Sequence, residues 1–142
     1  MKTLILLRHA DVDVDDVLEP ELNARGQLRA GALAELLAVA GVTSIFVSPA
    51  QRTQQTAAPL AAKFNLVAQV VPTWEETVLK ALSAVAGEVV VVIGHSNTIP
   101  EMIHALGGAI SATAVLQGHE DLFVATVLGP NSVRVVHLKY GN

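Results

Sequence analysis

The chain has 142 residues, a length that fits one domain with a sizeable core and leaves little room for a second domain. Hydrophobic residues make up 51% of it and aromatic residues only 4%, so we expect an aliphatic core. The formal net charge of -4 argues against a nucleic-acid partner, and the absence of cysteine excludes disulfides and thiolate sites. The N-terminal apolar run is too short for a signal peptide or a membrane span, which predicts a cytoplasmic protein without a membrane partner.

Short apolar runs alternate with helical patterns along most of the chain. Runs at 4–7, 45–47, 66–71 and 89–93 suit buried parallel strands. Helical spacing predicts helices from a cap at residue 23 to a stop at residue 41, and over 49–63, 75–86 and 98–106. Two further runs, 122–128 and 133–138, flank the turn signal "GPNS" and predict an antiparallel hairpin, whereas 109–121 is expected to be a loop.

The predicted first helix has an inward face, which the leucine and alanine spacing defines. That face is expected to contain Leu28, Leu33 and Leu36, with Arg29 elsewhere on the helix. Together the elements predict a single domain over residues 1–142, an α/β protein built as a three-layer α/β/α sandwich. Its central sheet is mostly parallel with the hairpin at one edge, and its ligands are expected beyond the carboxyl ends of the parallel strands.

Polar side chains follow three of the predicted strands directly. Arg8 and His9 end the first strand in "LILLRHAD", Arg52 comes shortly after the second, and His95 follows the fourth. A guanidinium binds phosphate through two donors at once, and an imidazole can form a covalent intermediate near neutral pH. The sequence therefore predicts a phosphoryl-transfer site in which His9 is the nucleophile and Arg8, Arg52 and His95 hold the phosphoryl oxygens.

Four motifs in the same order resemble the histidine phosphatase superfamily, which includes cofactor-dependent phosphoglycerate mutases and small phosphohistidine phosphatases. The motifs are "LLRHAD", "LNARGQLRA", "SPAQRTQQTA" and "VVVIGHSNT". The resemblance implies a phosphoglycerate mutase-like fold and a phosphorylated nucleophile at His9. It also implies phosphate binding by Arg8 and Arg52, stabilisation of the transferring group by His95, and a phosphate or substrate contact for Asn97. In size the chain is most similar to the small phosphohistidine phosphatases.

The sequence departs from the family pattern at two points. Ala10 stands where the family has glycine, and we expect an ordinary backbone conformation there. The general acid is also open, because His95 is followed by serine rather than by the aspartate of the acid phosphatase branch. Glu75 and Glu76 in "PTWEE", and Asp11, are the three candidates, although acidic residues in a first helical turn are also favourable without any catalytic role.

We expect a phosphatase that acts on a phosphate monoester or a phosphoramidate, with protein phosphohistidine among the candidates. The partner would then be a phosphorylated small molecule or a phosphoprotein, with no metal and no cofactor, and mutase activity is the less favoured reaction. Two alternatives remain open. "DVDVDD", residues 11–16, resembles the start of Mg²⁺-dependent phosphatases with an aspartate nucleophile, and a non-catalytic phosphate-binding module would keep the same pocket.

Overall fold

A computed structural model describes residues 1–13, 18–108, 115–130 and 132–141 of the chain. Its elements, in chain order, are β1 Lys2–Arg8, α1 Ala24–Leu36, β2 Ser44–Val47, α2 Gln51–Phe64, β3 Gln69–Val70, α3 Trp74–Leu82, β4 Val89–Gly94, α4 Thr98–Ala105, β5 Asp121–Gly129 and β6 Ser132–Lys139. The sheet order is β3-β2-β4-β1-β5-β6. The first four strands in that order are parallel, and β5 and β6 are antiparallel at the edge, so the predicted hairpin is confirmed.

The sheet is covered by helices on both faces. Alternate side chains of β1 point to opposite faces, because side chains in a strand alternate. Leu4 and Leu6 pack with α3 and α4, whereas Ile5 and Leu7 pack with α1 and α2. All four side chains are at most 4% exposed, which explains why the strand is a continuous apolar run. The predicted three-layer sandwich is therefore confirmed.

The inward face of α1 differs from the prediction. Leu28 and Leu36 are 77% and 51% exposed, whereas Arg29 is only 6% exposed. The guanidinium of Arg29 is buried because it has fixed partners: its Nε donates to an Asp11 carboxylate oxygen at 2.6 Å and its Nη1 to the Tyr140 carbonyl at 2.8 Å. A buried charge is tolerated when it is paired and hydrogen-bonded in this way.

Several element boundaries also differ from the prediction, among them the end of α1, which lies at Leu36 rather than next to the predicted stop at residue 41. β3 contains two residues instead of six, because it is the outer strand and pairs only with β2. The helix α2 begins two residues late, since Ala50 keeps an extended backbone with φ -67° and ψ 133°. The helix α3 ends at Leu82 rather than at residue 86, and the Ser83 hydroxyl donates to the Lys80 carbonyl at its end.

The predicted loop 109–121 falls partly outside the described residues. Residues 115–120 contain neither helix nor strand, and residues 109–114 are among those not described. Within the described ranges, no helix is long and apolar enough to span a membrane.

Candidate active site

The carboxyl ends of β1, β2 and β4 meet at one edge of the sheet. The three strands are parallel neighbours, and the backbone N–H of His9 donates to the Gly94 carbonyl at 2.9 Å. His9 and His95 each come one residue after a strand, and Arg52 lies in the first turn of α2. The fold thus delivers side chains from three separate segments to one place, as the rule for parallel sheets predicts.

His9 is held as a neutral imidazole with one free nitrogen. Its side chain is 4% exposed, and its Nδ1 lies 2.8 Å from the Ala10 carbonyl, which can only accept a hydrogen bond. Nδ1 therefore has the proton, and Nε2 keeps its lone pair, which accepts from Arg52 Nε at 3.2 Å. Burial lowers the pKa of His9 to about 3, with smaller contributions from Arg8, His95 and Arg52. The ring is therefore neutral at pH 7, with the lone pair of Nε2 directed toward Arg52.

Arg52 links the two histidines. Besides its contact with His9, its Nη2 lies 3.4 Å from Nδ1 of His95, and Nε2 of His95 lies 2.8 Å from the Ser48 hydroxyl. Burial and the positive charges of Arg52 and Arg8 lower the pKa of His95 to about 4, so this ring is also neutral at pH 7. Each imidazole has a nitrogen close to a hydrogen-bond donor of Arg52. Such a donor forms a stronger hydrogen bond with an anion than with a neutral imidazole nitrogen.

Arg8 has one hydrogen bond and one unsatisfied donor. Its Nη1 donates to the Gly118 carbonyl at 3.1 Å, and its Nε is buried without a hydrogen-bond partner in the described part of the chain. A buried polar group without a partner costs free energy, which a bound anion could offset. Arg8 is therefore suited to anion binding.

One cleft of about 550 Å³ brings the central predicted residues together. Arg8, His9, Arg52, His95 and Asn97 all line it. Its character is cationic and polar, so it suits a phosphoryl group.

The three candidate acids lie in different places, and none of them lines the cleft. Asp11 is bound to Arg29, and although burial opposes ionisation, that hydrogen bond and charge keep its pKa below the usual range. Glu75 lines a second pocket of about 520 Å³, called here the side pocket, which shares Arg52 and His95 with the cleft. Glu76 is exposed and lines neither space; its backbone N–H donates to the Thr73 hydroxyl that caps α3.

A carboxylate side chain lies at the N-terminus of α2. The backbone N–H of Gln51, the first residue of α2, donates to a carboxylate oxygen of Glu19 at 2.8 Å. The same oxygen lies 3.8 Å from Nη1 of Arg52. A carboxylate of the protein itself thus already lies at this N-terminus, where the helix dipole favours negative charge.

Ala10 is accommodated without strain. Its side chain is fully buried, its backbone is not among the described residues with positive φ, and its N–H donates to the Thr56 hydroxyl at 2.9 Å. The same hydroxyl donates to the Arg52 carbonyl at 2.7 Å, which ties the end of β1 to α2. The expectation of an ordinary backbone at Ala10 is confirmed.

His119 was not predicted to have a role, yet it lies against His9. Its Nδ1 is 2.8 Å from the His9 carbonyl, and the two ring centroids are 5.4 Å apart. Burial lowers the pKa of His119. The position of His119 follows from the pairing of β5 with β1: β5 starts at the carboxyl end of β1, so the residues just before it lie beside His9.

The sequence matches a known family profile. Residues 4–85 match the profile of the histidine phosphatase superfamily (branch 1), which is more than half of the chain. Two curated relatives from Mycobacterium tuberculosis, the uncharacterised proteins Rv0525 and MT0547, are each 41% identical over 51 residues. That alignment covers 36% of this chain and 25% of each relative, so the chain matches only about a quarter of their length.

Solved structures share the whole fold at low identity. The mycobacterial glucosyl-3-phosphoglycerate phosphatase Rv2419c with inorganic phosphate has a TM-score of 0.78 at 18% identity, covering 100% of this chain and 98% of that one. The protein histidine phosphatase SixA with tungstate has a TM-score of 0.79 at 18% identity, covering 96% of both chains. A phosphohistidine phosphatase SixA homologue from Agrobacterium tumefaciens has a TM-score of 0.69 at 21% identity, covering 96% of this chain and 97% of that one.

Proposed function

The chain belongs to branch 1 of the histidine phosphatase superfamily, and from this membership we propose that it is a phosphatase with a phosphohistidine intermediate on His9. The substrate is a phosphate monoester or a phosphoramidate. The observation that carries the proposal is the buried neutral imidazole of His9, whose Nε2 lone pair faces Arg52 in a cationic cleft. Two proteins with a similar fold, the protein histidine phosphatase SixA and a glucosyl-3-phosphoglycerate phosphatase, act on phosphorylated substrates by their names, which supports this substrate class.

In the first step, the phosphoryl oxygens bind the donors of Arg8 and Arg52, and the bound anion favours the protonated form of His95, whose Nδ1–H then donates as well; Asn97 lines the same cleft. The Arg52 donors that now meet imidazole nitrogens turn to the anion, which frees Nε2 of His9. That nitrogen forms a bond to phosphorus while the bond to the leaving group breaks on the opposite side. The charge on the transferring oxygens is stabilised by donors that are already in position.

The leaving group needs a proton, and Glu75 is the candidate that the geometry favours. Glu75 is exposed to solvent and lines the side pocket, which also contains Arg52 and His95. Asp11 is a poor donor because its carboxylate is stabilised by Arg29. Glu76 lines neither space. In the second step, water attacks phosphorus, Glu75 takes the proton from that water, and inorganic phosphate leaves as His9 is restored.

The test is hydrolysis of p-nitrophenyl phosphate by the wild type, His9→Ala and His104→Ala. His104 is exposed on α4 and serves as the matched histidine control. We expect turnover by the wild type and His104→Ala that persists in excess EDTA, and none by His9→Ala. Rapid quenching should trap an acid-labile, alkali-stable phosphoprotein that is missing in His9→Ala.

Two other results would each support a different function. Loss of activity in EDTA would favour the Mg²⁺-dependent aspartate mechanism, although Asp11 is bound to Arg29 and Asp15 and Asp16 lie outside the described residues. Binding of inorganic phosphate without hydrolysis by any variant would favour the phosphate-binding module. Brisk turnover of sugar phosphates with no release from a phosphohistidine protein would restrict the substrate class to monoesters.

A further inference from the structure

The side pocket reaches from the active-site edge down to the core. Its walls come from the ends of β2 and β4, the segment between β3 and α3, and the first turns of α3 and α4. Phe46, Val71, Val92 and Met102 line it, and each is at most 7% exposed, so the floor of the pocket is the aliphatic core itself. Trp74 lines it too and packs against the same core cluster. This space is apolar, unlike the neighbouring cleft.

The side pocket adjoins the phosphate-binding residues, and the nucleophile is not among the residues that line it. Arg52 and His95 line both spaces, whereas Arg8 and His9 line only the cleft. In an in-line displacement the leaving group departs from the side of phosphorus opposite the attacking atom. A phosphoryl group held by Arg52 and His95 and attacked by His9 would therefore direct its leaving group toward the side pocket.

The charges of the side pocket discriminate against an anionic leaving group. Apart from Arg52 and His95, the ionisable residues that line it are Glu19 and Glu75. Among the described residues that line it, the guanidinium is the one that holds the phosphoryl group. A second phosphate or a carboxylate on the substrate would meet the Glu19 carboxylate and, among these residues, no additional cation, an arrangement that costs free energy.

We propose that the side pocket binds the leaving group, and that the preferred substrate is a small monophosphate ester of an uncharged, ring-bearing alcohol. This inference rests on the proposed function and narrows it. Burial of one ring against Trp74 and the core side chains favours such a substrate over an anionic one of the same reactivity.

The first test compares three phosphates of primary alcohols, whose leaving groups differ mainly in size and charge: benzyl phosphate, ethyl phosphate and 2-phosphoglycolate. We expect kcat/KM for benzyl phosphate to exceed that for each of the others at least about tenfold. Trp74→Ala should reduce this preference at least about fivefold, chiefly through KM for benzyl phosphate. Leu79→Ala, on the exposed side of α3, should keep it. Equal values for the three substrates, or a preference for ethyl phosphate or 2-phosphoglycolate, would overturn the proposal.

The second test does not need turnover. Trp74 is the only tryptophan of the chain, so intrinsic fluorescence reports on the side pocket directly. Benzylphosphonate, which cannot be hydrolysed, should change this fluorescence with an affinity at least about tenfold higher than methylphosphonate. If no substrate is hydrolysed but benzylphosphonate binds in this way, the proposed phosphatase activity is wrong, whereas the proposed binding of a ring in the side pocket is supported. If the two phosphonates bind equally, or neither changes the fluorescence, the side pocket is not a leaving-group site.

Discussion

At the scale of single residues, the site is two neutral imidazoles joined by one guanidinium. Arg52 contacts Nε2 of His9 and Nδ1 of His95 through two different nitrogens. A lysine has one ammonium on a flexible stem and cannot keep both contacts, because it lacks the planar fork of donors. A lysine at this position would keep the positive charge but would lose the two simultaneous contacts with His9 and His95.

The first prediction separates charge from geometry at Arg52. Arg52→Lys should lower kcat on p-nitrophenyl phosphate by about 10² to 10³, the range for losing one positioned donor to the transition state. Arg25→Lys is the matched control, because the side chain of Arg25 is 79% exposed and lies outside the cleft. Steady-state kinetics at pH 7 measure both variants. Unchanged kcat in Arg52→Lys would mean that charge alone is sufficient at this position.

The second prediction tests the general acid. Glu75→Gln should lower kcat/KM about 10²-fold or more on benzyl phosphate, whose alkoxide leaving group needs a proton. The same variant should have a much smaller effect on kcat/KM for p-nitrophenyl phosphate, because this ratio reports the formation of the phosphoenzyme, and nitrophenolate leaves without a proton. Glu76→Gln, one residue further along α3, should leave both substrates unaffected. A uniform loss on both substrates in Glu75→Gln would point to a structural role instead.

The residue scale also shows which part of the site could be predicted from the sequence. Arg8, His9 and His95 were identifiable because each is a costly polar side chain directly after an apolar strand. Arg29 and His119 were not, because each depends on a tertiary partner far along the chain. The periodicity of one segment contains no information about such a partner.

At the scale of elements, helix α1 must lie very close to the end of β1. A Cβ placed on Gly26 would be 2.1 Å from the Asp11 carbonyl oxygen, whereas a Cβ on Gly31, in the same helix, would meet nothing within 4 Å. Asn23 caps the helix, since its side chain accepts from the Gly26 N–H at 2.8 Å. The glycine therefore allows α1 to pack against the segment that follows His9.

The third prediction compares the two glycines of α1. Gly26→Ala should lower the free energy of unfolding by about 1 to 3 kcal/mol, because backbone must shift to relieve the contact. Gly31→Ala should raise it by roughly 0.5 to 1 kcal/mol, because alanine is favoured over glycine inside a helix. Urea denaturation of both variants against the wild type gives the two values. Two changes of the same sign would show that α1 adjusts its position without cost.

Elements were predicted best where local pattern and tertiary packing agree. β1 and β4 are long apolar runs buried on both faces, so their existence and neighbours in the sheet follow from composition and parallel topology. β3 is an outer strand with one partner, and its length depends on how far β2 pairs with it. The helix α3 similarly ends where its own capping bonds form, which hydrophobic spacing does not determine.

At the scale of the whole molecule, folding buries two imidazoles in a cationic environment. The unfolded chain exposes them, and each then has a pKa near the ordinary value of about 6.5. In the folded chain burial lowers these pKa values to about 3 for His9 and about 4 for His95. Between these values and 6.5 the unfolded chain binds more protons than the folded chain, so stability falls as the pH falls through this window.

The fourth prediction is therefore a stability that depends on pH through the active site. Between pH 7 and pH 4 the wild type should lose about 2 kcal/mol or more through each histidine, in addition to what its paired carboxylates lose. His9→Gln and His95→Gln should each show a shallower fall over this range, because glutamine does not titrate, whereas the exposed His104→Gln should follow the wild type.

Inorganic phosphate should also flatten the wild-type curve of stability against pH, since an anion bound between Arg52 and the imidazoles favours their protonated forms. Urea denaturation at pH 7, 5.5 and 4 measures this, and equal slopes in the wild type and both site variants would contradict the burial of neutral histidines. Such a result would also remove the basis for a neutral nucleophile at His9, because the same burial keeps the Nε2 lone pair free at pH 7.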